Sequence, residues 1–258
     1  MNLQRAIELL PLYWRRYRRE VGSREARASL PLPLMGKPEC QLGFTLDMLL
    51  SHYRQTHPEV CFLQVGAFDG VSADPIYPLV EKHNLRGYLI EPQADAFDRL
   101  KANYARFGGS GFVFVHAAIG EKDGTIPLYR IKPDAPGPNW LPQVASLDKR
   151  FPMRHAHVVP GLESLIEIEE VPCLTFPTLF RTYGERHIDL LQIDAEGLDA
   201  KILRLFDVPS RMPAIIRFEH KHLGEEDYGQ ALTSLVALGY KIAMGAADTL
   251  AYHASHIT

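Results

Sequence analysis

Residues 61–70 read CFLQVGAFDG, an apolar run that breaks into two glycines with an aspartate between them. Cys61, Phe62, Leu63 and Val65, around Gln64, read as a buried strand. Gly66 and Gly70 bracket a tight loop, and VSADPIYPLVEKHN carries the chain back as a helix. A strand, a glycine turn and a helix make the first half of a nucleotide-binding βαβ unit. Downstream the same alternation continues. RGYLIEP, GFVFVHAAIG, the shorter GTIPLYRI, IDLLQIDAEG and PAIIRFEHKHL are strand-like. QADAFDRLKANYARFGG, FPTLFRTYG, LDAKILRLFD and DYGQALTSLVALGY are helix-like, and KIAMGAADTLAYHA reads as a closing hairpin. Such alternation predicts a parallel sheet with helices on both faces, seven principal strands in all and an antiparallel pair at the end.

The rest of the chain is compatible with one α/β domain. Its 258 residues, 46% of them hydrophobic and 23% charged, bury a core without disulfides or structural metal. A formal charge of −3 gives no reason to expect nucleic acid as a partner. Cys40, Cys61 and Cys173 are odd in number and lack C-x-x-C spacing, which suits reduced thiols in a cytoplasmic protein. No apolar run reaches membrane-span length, and the first 20 residues do not have the order of a secretory signal.

Residues 1–44 are expected to form a basic helical arm and linker, with the domain proper at 45–258. In the arm Arg15, Arg16, Arg18 and Arg19 interleave with Tyr13, Trp14 and Tyr17, a pattern that fits either peripheral membrane contact or packing on the domain or a second copy in a homo-oligomer. Prolines at 31, 33 and 38 read as linker, followed by a helix in FTLDMLLSHYRQTH with Thr45 as its cap. The stretch at about 132–170, rich in Pro and His, reads as an irregular insertion over one end of the sheet.

The first turn discriminates among ligands. A phosphate-binding G-x-x-x-x-G-K-[ST] loop fails, because Val71 and Ser72 follow Gly70. The dinucleotide fingerprint needs a glycine where Phe68 stands, and Asp69 beside it repels a pyrophosphate. A cationic ligand reverses that sign, as S-adenosylmethionine does with its sulfonium and ammonium. Glu91 falls 25 residues after Gly66, close to the spacing of about 20 for a carboxylate that holds ribose hydroxyls.

FLQVGAFDG, GYLIEP, VHAAIGEKDG, VASLDK, IDLLQIDAEGLDAKIL and IRFEHKHL occur in that order. Together they resemble the FkbM-type S-adenosylmethionine-dependent methyltransferases over about residues 45–255. The resemblance implies a class I, Rossmann-like methyltransferase sheet and O-methylation of sugars, polyketides and related metabolites. It places Gln64, Gly66, Ala67, Asp69 and Gly70 at the methionine end of the cofactor, and Glu91 with Pro92 at the ribose. His116, Ala117 and Ala118 fall beside the adenine. The chain departs from the family pattern at Phe68, where a small or amide residue is usual, and at Gln64, where an acidic residue is common.

Ligands of open parallel sheets sit beyond the carboxyl ends of the strands. Two such ends carry Asp194-Ala195-Glu196-Gly197 and Glu219-His220-Lys221-His222. An aliphatic hydroxyl loses its proton at neutral pH either to a general base or on a divalent metal. Asp194, Glu219 and His220 are the candidate catalytic groups. Asp194 and Glu219 are the candidate ligands for an ion such as magnesium, while His222 reads as a surface residue. His155 and His157 have ligand-like spacing within the insertion. Trp140, Phe151 and Arg154 suit a cover over a sugar or glycosylated acceptor. The function expected is O-methylation of a sugar, glycosylated metabolite or other natural product. The alternatives are transfer to nitrogen or to a lipid-linked or protein-linked glycan, and an inactive binding module on the same fold.

Overall fold

The structure is a computed structural model that describes residues 38–108, 111–138 and 140–256. The basic aromatic arm lies outside these residues. The first described element is helix α1, Pro38–Tyr53, with Pro38 at its first position, where a missing N–H costs nothing. Thr45 therefore lies inside this helix and does not cap it. Leu46, Leu49, Leu50 and Tyr53 form its buried stripe.

The central sheet has seven strands in the order β10-β11-β9-β8-β1-β2-β3. These are β1 Val60–Val65, β2 Leu85–Ile90, β3 Phe112–Val115, β8 Leu190–Ile193, β9 Ile215–Glu219, β10 Tyr240–Met244 and β11 Asp248–His253. Only β11 runs against its neighbours, pairing antiparallel with β9 and β10. The mostly parallel seven-stranded sheet and its closing hairpin match the expectation.

Strand β1 shows how the sheet is buried from both sides. Val60 and Phe62 face a layer with α1, with α2 (Tyr77–His83) and with α3 (Ala94–Tyr104). Leu63 and Val65 face the opposite layer, with α4 (Phe176–Tyr183), α5 (Asp199–Leu205), the short α6 (Val208–Arg211) and α7 (Glu225–Ala237). Side chains alternate along a strand, so an almost continuous apolar run fills two cores.

A second sheet of four strands, β4-β7-β5-β6, packs beyond the end of the first. Its members are β4 Ala118–Ile119, β5 Gly124–Ile131, β6 Ala145–Ser146 and β7 Ile166–Leu174. Strand β7 corrects the reading of 132–170 as wholly irregular. The alternation in IEIEEV marks it, and it pairs antiparallel with β5 from Gly124↔Cys173 to Ile131↔Ile166. Between β5 and β7 three single-turn helices enclose a small core of Ile131, Leu141, Val144, Phe151, Val159 and Leu162. Arg130 of β5 anchors this sheet to α3 through an ion pair to Asp95 at 2.7 Å, and ties β5 to β7 through one to Glu169 at 2.8 Å. Among the described residues no helix is long and apolar enough to cross a membrane.

Candidate active site

A cleft opens where β1, β2 and β8 end together. Gly66 makes the first turn: its φ is +79°, and a Cβ there would lie 1.8 Å from the Asp194 carbonyl oxygen. Only glycine lets the ends of β1 and β8 approach this closely. Gln64, Gly66, Ala67 and Phe68 line the cleft on one side, and Glu91, Pro92 and Gln93 line the next. Ala117, Ala118, Ile119 and Leu128 supply an apolar wall, and Asp194 and Glu196 stand opposite.

The groups in this cleft suit a cationic, hydroxyl-bearing nucleoside. Glu91 is 3% exposed, and its carboxylate accepts the backbone amides of Phe68 and Gln93, both at 2.8 Å. Burial pushes its pKa up to about 7 despite those bonds. Gln64 donates from Nε2 to Asp74 at 2.7 Å, while the Oε1 atoms of Gln64 and Gln93 are buried without a hydrogen-bond partner. Such acceptors are costly to leave unmatched, and S-adenosylmethionine carries donors for them in its ammonium and hydroxyl groups. The residues therefore fit that cofactor. Asp74 was not singled out from the sequence. Its carboxylate accepts the amides of Ile76 and Tyr77, which ties the loop to the start of α2.

Asp69 and Gly70, expected in the methionine loop, do not line the cleft. The Asp69 carboxylate turns back to accept the amides of Val71 and Ser72 and the Ser72 hydroxyl, because a tight turn offers these donors at no reach. Gly70 lies against Leu100 and Tyr104 of α3, where a Cβ would collide at 2.4 Å and 2.7 Å. His116 stacks on Phe97 at 4.9 Å and bonds the Pro92 carbonyl, buttressing the wall that Ala117 and Ala118 form.

A second groove adjoins the first, sharing Ala73, Pro75, Gln143, Asp194 and Glu196 with it. Trp140, His155, Arg217, Glu219, Lys221, His222 and Asp248 line its far side. Carboxylates crowd at the junction. Asp194 is reachable by solvent, yet protein walls it closely, and this desolvation with the charge of Asp248 pushes its pKa up to about 7. Burial and then Asp194 raise Asp199 to about 8, and Glu219 is raised to about 9 by burial and by Asp194. Glu196 is raised by the same two causes.

The histidine that joins these groups is His222, which corrects its reading as a surface residue. Its side chain is 13% exposed, and Nε2 lies 3.8 Å from both Glu196 Oε2 and Glu219 Oε2. Burial and Lys221 lower its pKa to about 4. His220 leaves the strand end on the other side, as alternation requires. Its ring stacks on Tyr228 at 4.7 Å and Nδ1 bonds the buried Thr249 hydroxyl at 2.9 Å. It lines neither groove. Asp194 and Glu219, the expected metal pair, stand near each other, but the set whose ligand atoms lie within 4.8 Å of one another is Glu196, Glu219 and His222.

The insertion holds this corner closed. Phe151 is 2% exposed and meets the His222 ring edge-on at 4.8 Å. Arg154 donates to the His222 carbonyl at 2.9 Å, and Ser146 donates to the Glu196 carbonyl at 3.1 Å. His155 faces Trp140 at 5.1 Å, and His157 bonds the Arg154 carbonyl, so these two do not form a ligand pair.

Among solved structures the chain is similar to methyltransferase FkbM from Methylobacillus flagellatus KT, at 12% identity and TM-score 0.48, over 76% of this chain and 44% of that one. It thus spans less than half the length of that protein. It is also similar to an O-methyltransferase from Bacillus cereus in complex with SAH, at 12% identity and TM-score 0.39, over 88% of this chain and 86% of that one. No curated protein matches the chain. The model of the methyltransferase FkbM domain matches residues 64–242, which takes in every strand end that builds the cleft, and the chain belongs to that S-adenosylmethionine-dependent methyltransferase family.

Proposed function

We propose that the chain methylates a hydroxyl group of a sugar, a glycosylated metabolite or another natural product. The observation that carries this reading is the position of Asp194, which lines both the cofactor cleft and the adjoining groove. A group in that place meets donor and acceptor together. Gln64, Glu91, Gln93 and the apolar wall would hold the cofactor. When bound, it supplies a methyl carbon whose bond to sulfur breaks as a bond to the acceptor oxygen forms, the electron pair staying on sulfur.

The chain's own task is to remove the hydroxyl proton. A base works best with a pKa near the working pH, and Asp194 is pushed up to about 7. The proton passes to its carboxylate and then to solvent, which reaches this side chain. Trp140 at the groove's rim, 38% exposed, offers a face for a sugar ring, and Lys221 offers a donor to ring hydroxyls.

The test is a panel of alcohol and amine acceptors incubated with cofactor carrying a labelled methyl group. Label on alcohols supports the reading. Label on amines alone rejects it, as does the absence of transfer to any acceptor by protein that still binds S-adenosylhomocysteine.

A further inference from the structure

We propose that Glu196, Glu219 and His222 form a binding site for one divalent transition-metal cation, of the class of Mn2+ or Zn2+, in the wall of the second groove. Three side chains from two strand ends converge there. Glu196 comes from the turn after β8, Glu219 ends β9, and the turn after β9 brings His222 back beside it. Their ligand atoms lie within 4.8 Å of one another, and His222 Nε2 is 3.8 Å from each carboxylate oxygen. That separation is too long for a hydrogen bond. It suits two ligands that each stand about 2.0–2.2 Å from a shared ion.

A second observation points to a ligand. Glu219 Oε2 is buried without a hydrogen-bond partner, although amides and hydroxyls satisfy most buried polar atoms of this chain. A structural Glu–His pair would close to bonding distance and satisfy that oxygen.

The site is also held rigid, as a metal site requires. Asp199 is fully buried; its Oδ1 accepts the amides of Ala195 and Glu219, and its Oδ2 accepts that of Gly197. Both ligand-bearing turns therefore hang from one carboxylate. Glu196 sits in the left-handed region at φ 49°, which residues other than glycine seldom adopt. Phe151 and Arg154 fix the His222 ring and backbone from the insertion side. The donor set of two carboxylates and one imidazole favours Mn2+ or Zn2+ over Mg2+, which prefers oxygen ligands and water.

The role of the ion rests on the methyl-transfer reading: an ion here, beside Asp194, would hold and acidify the acceptor hydroxyl. Its binding does not rest on that reading. The full chain, stripped with chelator, is titrated with Mn2+ and followed by the loss of the free-ion electron paramagnetic resonance signal, with Zn2+ as competitor. S-adenosylhomocysteine binding is measured on the same samples by calorimetry. The expected result is one Mn2+ per chain, displaced by Zn2+. Glu219→Gln and His222→Ala should each weaken it about tenfold or more while nucleoside affinity is kept. No binding up to about 1 mM Mn2+ or Zn2+, or equal binding by wild type and both variants, overturns the site. Glu196→Gln replaces either variant that fails to fold. Metal binding without nucleoside binding would uphold the site and count against the methyltransferase reading; the reverse would do the opposite.

Discussion

Asp199 and Glu219 lie 20 residues apart, yet Asp199 Oδ1 accepts the Glu219 backbone amide at 3.2 Å. The same carboxylate holds Ala195 and Gly197, so one buried side chain sets the distance between the two strand ends that carry the chemistry. Replacing it leaves three part-buried amides without their acceptor. Asp199→Ala should cost about 2–4 kcal/mol of stability, and transfer should fall further than cofactor affinity. Urea unfolding and nucleoside calorimetry on the variant check both parts. An unchanged unfolding midpoint would remove Asp199 from this role.

Gly66 is confined by the Asp194 carbonyl on one side and by its own φ on the other. An added methyl overpacks the junction of β1 and β8 and must also adopt the left-handed region. The two penalties together come to about 2–5 kcal/mol. Gly66→Ala should unfold at markedly lower temperature, and what folds should bind S-adenosylhomocysteine poorly. Retention of both properties would mean that the strand ends can part without loss.

Glu91→Ala should weaken S-adenosylhomocysteine binding by roughly 10- to 150-fold, the loss of about 1.5–3 kcal/mol in charge-assisted hydrogen bonds. The variant also frees the Phe68 and Gln93 amides, so part of the loss comes from the loop. Circular dichroism confirms the fold, and calorimetry reads the affinity. Wild-type affinity would place the nucleoside elsewhere.

The sheet was legible because its strands carry apolar runs that give way to polar residues, proline or glycine: β2 ends at Ile90, before Glu91 and Pro92, and β8 at Ile193, before Asp194. Strand β7 was harder to see: its inward face begins with Glu167 and Glu169, which pair with buried Arg130, and only Val171 and Cys173 on it are buried apolar residues, while Ile168 on the other face is 63% exposed. At the site, residues placed by strand geometry were readable, as with Gly66, Glu91 and Asp194. Those placed by turns were not. His222 reaches the carboxylates only because the Leu223 amide bonds the His220 carbonyl and folds the chain back. Asp69 turns inward for the same local reason, and Asp199 looks like an ordinary first-turn acid until its three partners are known.

Stability should fall as pH rises between about 6.5 and 9. Asp194, Asp199 and Glu219 are pushed up on folding to about 7, 8 and 9 from ordinary carboxyl values of 3.8, 3.8 and 4.5. In that window the folded chain binds more protons than the unfolded one, so raising pH favours unfolding. Their contribution is fully present below the unfolded values and is lost through the folded ones. His222, lowered to about 4 from 6.5, acts in the opposite sense but only below about 6.5. Thermal melts of metal-stripped protein across the window read the slope, and Glu219→Gln should flatten it. A flat wild-type profile would mean that these carboxyls are not desolvated as a group.

The last prediction separates the two strand ends by function. Asp194 faces both grooves, while His220 is turned into the layer with Tyr228 and Thr249. Asp194→Asn keeps the shape but removes a base poised near neutral pH, so transfer should drop about 10²- to 10⁴-fold. Nucleoside affinity should stay within a few-fold, since the Asp194 backbone, which meets Gly66, is untouched. His220→Ala removes a stacked ring and one hydrogen bond, a cost of about 1–2 kcal/mol in stability, and should leave the rate per folded molecule within a few-fold. Single-turnover rates on both variants, with a metal-loaded and a chelated sample of each, provide the comparison. A normal rate for Asp194→Asn together with a collapsed rate for His220→Ala would return the base to the histidine and put the acceptor on the opposite face of β9.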